Sequence, residues 1–141
     1  MSYAMSAPLQ TAIFERLNGD ERLFGKIDGA LFDAVPAGLA PDIYVIIGEE
    51  DVRDRSDKSA AGAWHDLTIS VVSEVTSFRA AKEVAGLIAE VLDGPAPEMT
   101  RGRIVGVWFL RARARRVGTG NRRQVDLRYR VQVEDADQVQ E

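Results

Sequence analysis

The chain has 141 residues, a formal net charge of −4 at pH 7 and no cysteine. Its length fits one domain that buries most of its unfolded surface, so neither a metal nor a disulfide is needed for folding. The lack of cysteine excludes disulfides, thiolate zinc sites and cysteine nucleophiles, and the lack of an apolar run of roughly 18 residues argues against a membrane partner.

The first half of the chain predicts two helices and a strand. Residues 7–18 place apolar side chains on one stripe of a helix, and a short second helix is expected over residues 20–24. Residues 31–35 are expected to form a brief extended piece. The continuous apolar run at 42–49 predicts a strand with both faces covered.

A highly charged stretch separates this strand from the next one. Residues 50–63 lack a sustained apolar period, and we interpret them as a long mobile connection with strand-like ends. Residues 64–75 alternate apolar and polar side chains, which predicts a second strand. A helix is expected over 77–92, with Ser77 as its N-cap. Its buried stripe is predicted to contain Ala81, Val84, Ala85, Ile88, Val91 and Leu92.

The clearest structural signal is a basic hairpin over residues 103–134. Two alternating runs flank a turn at 118–121, where glycine and asparagine supply positive φ angles. The pattern favours one register, because a slip by one residue would set arginines against apolar side chains. In that register Trp108 and Tyr129 lie on the apolar side, whereas the arginines share the other side. The predicted pairs are Leu110 with Tyr129, Ala112 with Leu127, Arg111 with Arg128, Arg113 with Asp126, and Arg115 with Gln124.

Together these elements predict an α+β fold. We expect an antiparallel sheet of about four main strands, with two principal helices packed on one face of the sheet. Residues 1–134 are expected to form a single domain of this kind. Residues 135–141 are expected to be a polar C-terminal tail that frays in solution.

No group of residues in the sequence has the spacing of a catalytic, cofactor or metal site. His65 is the only histidine, and the neighbouring Asp66 would point to the opposite face of a strand, so we expect a surface or interface histidine rather than a catalytic base. The acidic residues of 49–57 lack the ligand spacing of a calcium loop. The glycines of 118–123 lack the spacing of a phosphate-binding loop. We therefore predict no enzyme activity, no cofactor and no metal.

Positive charge is concentrated in the hairpin. Residues 101–130 hold ten arginines and one acidic residue, whereas the rest of the chain is strongly acidic. Like charges face each other across the two runs, which destabilises a hairpin unless an acidic neighbour, another subunit or a polyanion compensates. The arginine side is expected to lack aromatic residues for base stacking, so protein contact is favoured over a solvated face and over nucleic acid. The candidate interface comprises Arg111, Arg113, Arg115, Arg116, Arg122, Arg123, Arg128 and Arg130 of the hairpin, with Glu50, Asp51, Arg53, Asp54, Arg55 and Asp57 of the charged stretch.

Four pieces of the chain carry a resemblance to a known family. They are the helix PLQTAIFERLNGD, the long stretch DAVPAGLAPDIYVIIGEEDVRDRSDKSAAGAWHDLTISVVSE with its central part VIIGEEDVRDRSDKSAAGAWHDLTISVVS, the helix AAKEVAGLIAEVLDG, and the final hairpin with LRYRV. On these motifs the chain resembles, over nearly its whole length, the tail-terminator or tail-completion proteins of long-tailed bacteriophages and gene transfer agents. The central part of the long stretch is the most specific, because it resembles a strand, a charged loop and a second strand of that family. The chain departs from this family in one respect, because it has more arginines near the tip of the hairpin than the fold requires.

The resemblance implies a sheet-plus-helix fold that assembles as a homo-oligomeric ring, usually a hexamer. The ring would cap the tail tube, contact the tail-tube protein and the head–tail connector or stopper protein, and let DNA pass through its centre. The protein would then be a structural component at the tail–head junction of a phage-like particle, assembled in the bacterial cytoplasm, with no enzyme activity and no cofactor. The alternative function is a nucleic-acid-binding module that uses the arginine-rich hairpin.

Overall fold

The computed structural model describes residues 3–35, 38, 41–56, 58, 61–74, 78–118 and 120–135. This part of the chain forms three helices and five strands. In chain order they are α1 (Ser6–Asn18), α2 (Glu21–Ile27), β1 (Leu31–Phe32), β2 (Ile43–Asp54), β3 (Gly62–Ser73), α3 (Phe78–Leu92), β4 (Arg103–Arg116) and β5 (Arg123–Glu134). The fold class is α+β, which confirms the prediction.

The strands form one sheet in the order β1-β2-β3-β5-β4. The four long strands pair antiparallel, which confirms the predicted body of the sheet. The sequence predicted only an extended piece at 31–35, and its first two residues form β1, which pairs parallel with β2 through Leu31 and Val45. The short β1 and the long β4 therefore form the two edges of the sheet.

The helices lie against one face of the sheet, as predicted. α1 corresponds to the expected helix over 7–18 and buries the apolar stripe of Leu9, Ile13 and Leu17. α3 buries every residue of its predicted stripe. Ser77, the predicted N-cap of α3, lies outside the described residues. Within the described ranges, no helix is long and apolar enough to cross a membrane.

The second helix is longer than the sequence predicts. α2 begins where the Asp20 carboxylate accepts a hydrogen bond from the Leu23 N–H at 3.0 Å, which satisfies a free donor of the first turn. It continues to Ile27 because Leu23 and Ile27 are both buried in the core. It ends at Asp28, whose positive φ of 52° is incompatible with a further helical turn.

Alternate side chains of β3 and β5 fill the core beneath the helices. Ile69 lies opposite Leu127, and both are buried. The residues between these core positions point to the other face of the sheet, where Thr68 lies opposite Arg128. The sheet therefore has an apolar face covered by helices and a polar face.

Half of the charged stretch at 50–63 is strand, because β2 continues to Asp54 and β3 begins at Gly62. The predicted strand-like ends are therefore confirmed, and the connection between the two strands is shorter than the sequence predicts. The ends of β2 and β3 extend into it, and Val52 lies opposite His65. A shift of register between Ile47 and Glu50 marks a bulge in β2. Pairing with β3 stabilises the end of β2 despite its polar composition, since strand preference depends strongly on cross-strand neighbours.

The β4–β5 hairpin follows the predicted register only near its turn. The predicted partners of Arg111, Ala112, Arg113 and Arg115 are all confirmed. A bulge at Leu110 then places Phe109, rather than Leu110, opposite Tyr129. The same extra residue moves Trp108 to a position opposite Arg130, so the prediction that Trp108 lies on the apolar side is wrong.

Asp135, the first residue of the predicted polar tail, is anchored to the fold. Asp135 is buried, and its carboxylate binds Arg101 at 2.8 Å, so this residue is held in place rather than frayed. The neighbouring backbone adds to this anchoring, because the Asp135 N–H donates to the Ala61 carbonyl at 2.9 Å. The rest of the predicted tail, residues 136–141, lies outside the described residues.

Candidate assembly surface

The sheet face away from the helices carries most of the hairpin arginines. This surface, here called the arginine face, comprises Arg111, Arg113 and Arg115 of β4 with Arg128 and Arg130 of β5. The five side chains share one face because they occupy alternate positions on paired strands. Arg111 lies directly opposite Arg128, as predicted, so the surface contains an unfavourable like-charge pair.

The arginines of β5 form ion pairs with acidic residues of the hairpin formed by β2 and β3. Arg130 binds Asp66 through two hydrogen bonds of 2.8 and 3.0 Å. The Arg130 guanidinium thereby holds the pKa of Asp66 below its ordinary value. Arg128 reaches the exposed Asp51 at 3.2 Å. Part of the charge that was expected to need a partner outside the hairpin is thus compensated within the chain.

Asp126 of β5 compensates the charge of a third arginine, within the β4–β5 hairpin itself. Arg115 binds its carboxylate at 3.0 Å, and the Ser70 hydroxyl donates to it at 2.6 Å. Burial opposes ionisation of this carboxyl, but hydrogen bonds from Gln124, Ser70 and Arg115 together lower the pKa of Asp126. Asp126 is therefore ionised at neutral pH and neutralises one side of the arginine face.

Arg111 and Arg113 differ from the other arginines of this face. Neither makes a hydrogen bond or an ion pair with any residue that the structure describes. They line a pocket of about 140 Å³ beside Thr68 and Glu49. Adjacent guanidinium groups without an intramolecular partner are suited to bind an external anion. These two residues are therefore the part of the arginine face that most needs a partner.

The other arginines of the predicted interface lie near the hairpin turn, outside the arginine face. Arg122 binds Glu74 at 2.9 Å, and this hydrogen bond raises the pKa of Arg122. Arg123 places its guanidinium 5.3 Å from the centre of the Phe78 ring. Arg116 lies opposite Arg123, on the helix side of the strands, and has no ion pair in the described part of the chain.

The arginine face contains two tryptophans, so the expectation that it lacks aromatic residues is wrong. The rings of Trp64 and Trp108 have centres 5.8 Å apart. Arg55 and Arg130 lie 5.6 and 5.7 Å from the centre of the Trp64 ring, within the range of cation–π attraction. The bulge at Leu110 brings Trp108 to this face. Trp64 could have been found from the sequence, because it shares the parity of the polar residues of β3.

Glu50 points into the fold, although the sequence placed it in the candidate interface. Its carboxylate lies 2.9 Å from Nδ1 of His65 and accepts a hydrogen bond from the Ser6 hydroxyl at 2.7 Å. His65 is fully buried, so the prediction of a surface or interface histidine is wrong. His65 and Asp66 do point to opposite faces of β3, as predicted. Glu50 thus connects α1 to the sheet.

The other residues of the charged stretch lie near the end of the β2–β3 hairpin. Arg53 is opposite Trp64 and belongs to the polar face. Asp54 accepts a hydrogen bond from the Ser56 hydroxyl at 2.8 Å, which lowers the pKa of Asp54. Asp57 lies outside the described residues. In the part of the chain that the structure describes, no three acidic or histidine side chains are grouped so that they could hold a metal ion.

Large apolar side chains are exposed along the β4 edge of the sheet. Trp108, Phe109 and Leu110 are 46%, 55% and 42% exposed. A groove of about 320 Å³ adjoins them between α3 and β4, with Val107 and Tyr129 in its lining. An unpaired edge strand with exposed apolar residues is a common site of protein association. The arginine face and this edge meet along β4 and form one candidate assembly surface.

The Asp66 ion pair supports a prediction about acid stability. Asp66→Asn is expected to lower the thermal unfolding midpoint at pH 7 by about 4 °C, because Asp66 is buried and binds Arg130 through both oxygens. The folded pKa lies below the unfolded value, so ionised Asp66 stabilises the fold above about pH 4 and this contribution is lost as pH falls through the folded pKa. Calorimetry from pH 7 to 3 should show the difference between wild type and variant shrinking.

Asp51→Asn provides the matched control for this prediction. Asp51 also pairs with an arginine of β5, but its side chain is 77% exposed. Exposed ion pairs contribute little, so the midpoint should change by less than about 1 °C. Equal effects of the two substitutions would contradict the assigned role of Asp66.

The chain matches one protein family and is similar to a solved structure. The family described as "Tail completion protein gp17" matches residues 11–134. Among solved structures, the chain is similar to one from the "Virion of native gene transfer agent (GTA) particle". The two are 44% identical, the match covers 94% of this chain and 99% of that chain, and the TM-score is 0.88. A comparison with curated protein sequences finds no match.

Proposed function

Because the chain belongs to the family of tail completion proteins, we propose that it forms a ring that terminates the tail tube of a phage-like particle and joins the tube to the head–tail connector. The ring is a homo-oligomer, a hexamer in our proposal, and DNA passes through its centre. It lies at the tail–head junction and assembles in the bacterial cytoplasm. The family is one of structural virion proteins, so the role requires neither enzyme activity nor a cofactor.

One observation carries this proposal. The similar chain belongs to the virion of a gene transfer agent particle, and the match extends over 94% of the present chain at 44% identity. Identity of this extent, together with a TM-score of 0.88, means that the two chains share the whole arrangement of helices and strands. A structural role in a tailed particle therefore fits the entire chain rather than one segment of it.

The exposed β4 edge is consistent with assembly into a ring. A ring requires a heterologous interface, in which two different surfaces of the chain meet. Trp108, Phe109 and Leu110 supply apolar area for such an interface, and Arg111 and Arg113 supply uncompensated charge. We propose that the arginine face and the neighbouring residues Arg53 and Arg55 contact another subunit or an adjacent tail protein. We propose that Arg116, Arg122 and Arg123 near the hairpin turn form a separate contact with a partner, because Arg116 and Arg123 lie on the helix side of the strands.

Direct nucleic-acid binding is a weaker explanation of the same residues. Trp64 is already covered by Trp108, Arg55 and Arg130, so its ring is not free to stack on a base. Three of the five arginines of the arginine face are paired with acids of the same chain. A surface built for phosphates would leave more of its cations available. These contacts favour a protein partner.

Removal of the gene from the producing cell tests the proposed function. Particles made without this protein are expected to have tails of uncontrolled length, or heads without attached tails, in electron micrographs. A copy of the wild-type gene supplied in trans should restore tail length and attachment, which controls for effects on neighbouring genes. Normal tails joined to heads in its absence would overturn the proposal.

A further inference from the structure

The two edges of the sheet lie on opposite sides of the molecule. β1 and β4 are the first and last strands in the sheet order, so four strand spacings separate them. With neighbouring strands about 4.8 Å apart, this distance is about 19 Å. Surfaces at the two edges of one chain therefore cannot contact each other, but they can meet between two copies of the chain.

The β1 edge carries a groove that combines apolar walls with acidic side chains. The groove has a volume of about 680 Å³ and lies between α1 on one side and β1 with the two residues that follow it on the other. Phe14 and Phe32 are partly buried and supply apolar walls. Glu15 and Asp33 are exposed at the same groove, and neither forms an ion pair with a residue that the structure describes. The groove is thus suited to an apolar segment that carries positive charge.

The β4 edge has the complementary chemistry. Phe109 and Leu110 are exposed apolar residues, and they directly precede Arg111 in the chain. Arg111 and Arg113 are the two arginines of the arginine face without a partner in the described part of the chain. One edge therefore offers apolar side chains beside free guanidinium groups, and the other offers an apolar groove beside free carboxylates.

We propose that the groove at the β1 edge receives the β4 edge of a second copy of this chain, with Glu15 and Asp33 facing Arg111 and Arg113. The proposal rests on the proposed ring, and it identifies the surfaces that meet between its subunits. Each copy donates its β4 edge to one neighbour and its groove to the other. Such head-to-tail contacts continue from copy to copy until the ring closes.

Charge reversal tests this pairing in assembled particles. The double substitution Arg111→Glu with Arg113→Glu is expected to reduce the amount of this protein in purified particles roughly tenfold or more, because like charges then face each other. Glu15→Arg with Asp33→Arg should do the same. The chain with all four substitutions restores opposite charges at every contact and should recover most of the wild-type amount, measured by quantitative immunoblot.

Controls separate this result from effects on folding or on net charge. Lys26→Glu with Lys82→Glu makes the same charge change as the first pair, but it lies on the helices and should leave the amount in particles unchanged. Thermal unfolding of each purified variant verifies that it folds. A fourfold variant that folds but enters particles no better than either double variant contradicts the proposed pairing.

Cross-linking provides a second test that does not depend on charge. The chain has no cysteine, so Asp33→Cys with Arg113→Cys introduces the only two thiols. In particles, a short bis-maleimide should join neighbouring copies through these thiols and produce a ladder of linked chains on denaturing gels. Lys82→Cys with Arg113→Cys is the control and should give no ladder.

The two tests distinguish failure of this inference from failure of the proposed function. If the Asp33/Arg113 cysteine variant enters particles with normal tails and yields no ladder, the inferred surfaces are wrong while the ring remains. If the wild-type protein is absent from particles, or its removal leaves tails normal, the ring itself is wrong and the inferred pairing falls with it.

Discussion

Gly102→Ala is expected to destabilise the fold by about 2–5 kcal/mol. Gly102 has a φ of +71°, a conformation that costs an L-residue about 1–2 kcal/mol. A Cβ atom at this position would lie 2.5 Å from Sδ of Met5 and 2.6 Å from the backbone oxygen of Glu134. Both neighbours are fixed, because Met5 is buried in the core and Glu134 is paired in the sheet, so the clash adds about 1–3 kcal/mol.

Gly118→Ala is the matched control for this substitution. Gly118 has the same φ of +71°, but no atom lies within 4 Å of a Cβ built there. The control carries the backbone cost without the clash, so it should destabilise the fold by about 1–2 kcal/mol. Urea denaturation of both variants measures the two losses. A Gly102 variant no less stable than the Gly118 variant would show that the crowding does not matter.

Ile88→Ala is expected to reduce the free energy of unfolding by about 2–5 kcal/mol. Ile88 lies in the middle of α3, is 0% exposed and belongs to the core between the helix and the sheet. Its removal leaves a cavity that packed neighbours cannot fill without moving. Denaturant titration followed by circular dichroism measures the loss, and an unchanged slope of the transition verifies that the unfolded state is comparable.

Leu87→Ala on the same helix controls for the change in helix propensity. Leu87 is only partly buried, so its truncation creates less cavity and should cost about 1 kcal/mol or less. Both substitutions introduce alanine into the middle of α3, and the difference between them isolates the effect of burial. Equal losses would contradict the packing of α3 with its Ile88 side toward the sheet.

The strongly periodic elements could be predicted from the sequence. The strict alternation of apolar and polar residues along β5 predicts which side chains face the helices. The apolar stripe of α3 predicts which side of the helix is buried. The same alternation predicts that Arg111, Arg113, Arg115 and the two arginines of β5 share one face. These predictions succeed because each depends on residues within one element or within two strands joined by a short turn.

The bulge in β4 could not be predicted from the same pattern. Residues 104–110 have no polar side chain on either face of the strand. An extra residue at Leu110 therefore brings no polar side chain onto the apolar face, and the sequence gives no sign of the bulge. The bulge nevertheless moves Trp108 to the arginine face and sets Phe109 opposite Tyr129. Register in this half of the hairpin is decided by side-chain packing across the sheet, which alternation alone does not report.

Contacts between segments that are distant in the chain could not be predicted from the sequence pattern either. The sequence pattern indicates that His65 is a polar residue at a strand end, yet it is buried beside Glu50 of the neighbouring strand, whose carboxylate also accepts a hydrogen bond from Ser6 of α1. The pairing of Arg130 with Asp66 likewise requires β5 to lie beside β3. Each of these partners is close in space only after the sheet has formed.

The sheet order also has a consequence for folding. β2 with β3 and β4 with β5 are two local hairpins, and only the β3–β5 ladder joins them. Pairing of neighbouring segments is fast, whereas pairing across long stretches of chain is slow, so the joining of the hairpins is expected to limit the folding rate. Asp66 with Arg130 and Asp51 with Arg128 cross that seam, as does Glu74 with Arg122. The uneven distribution of charge along the chain thus attracts the two halves of the sheet to each other during folding.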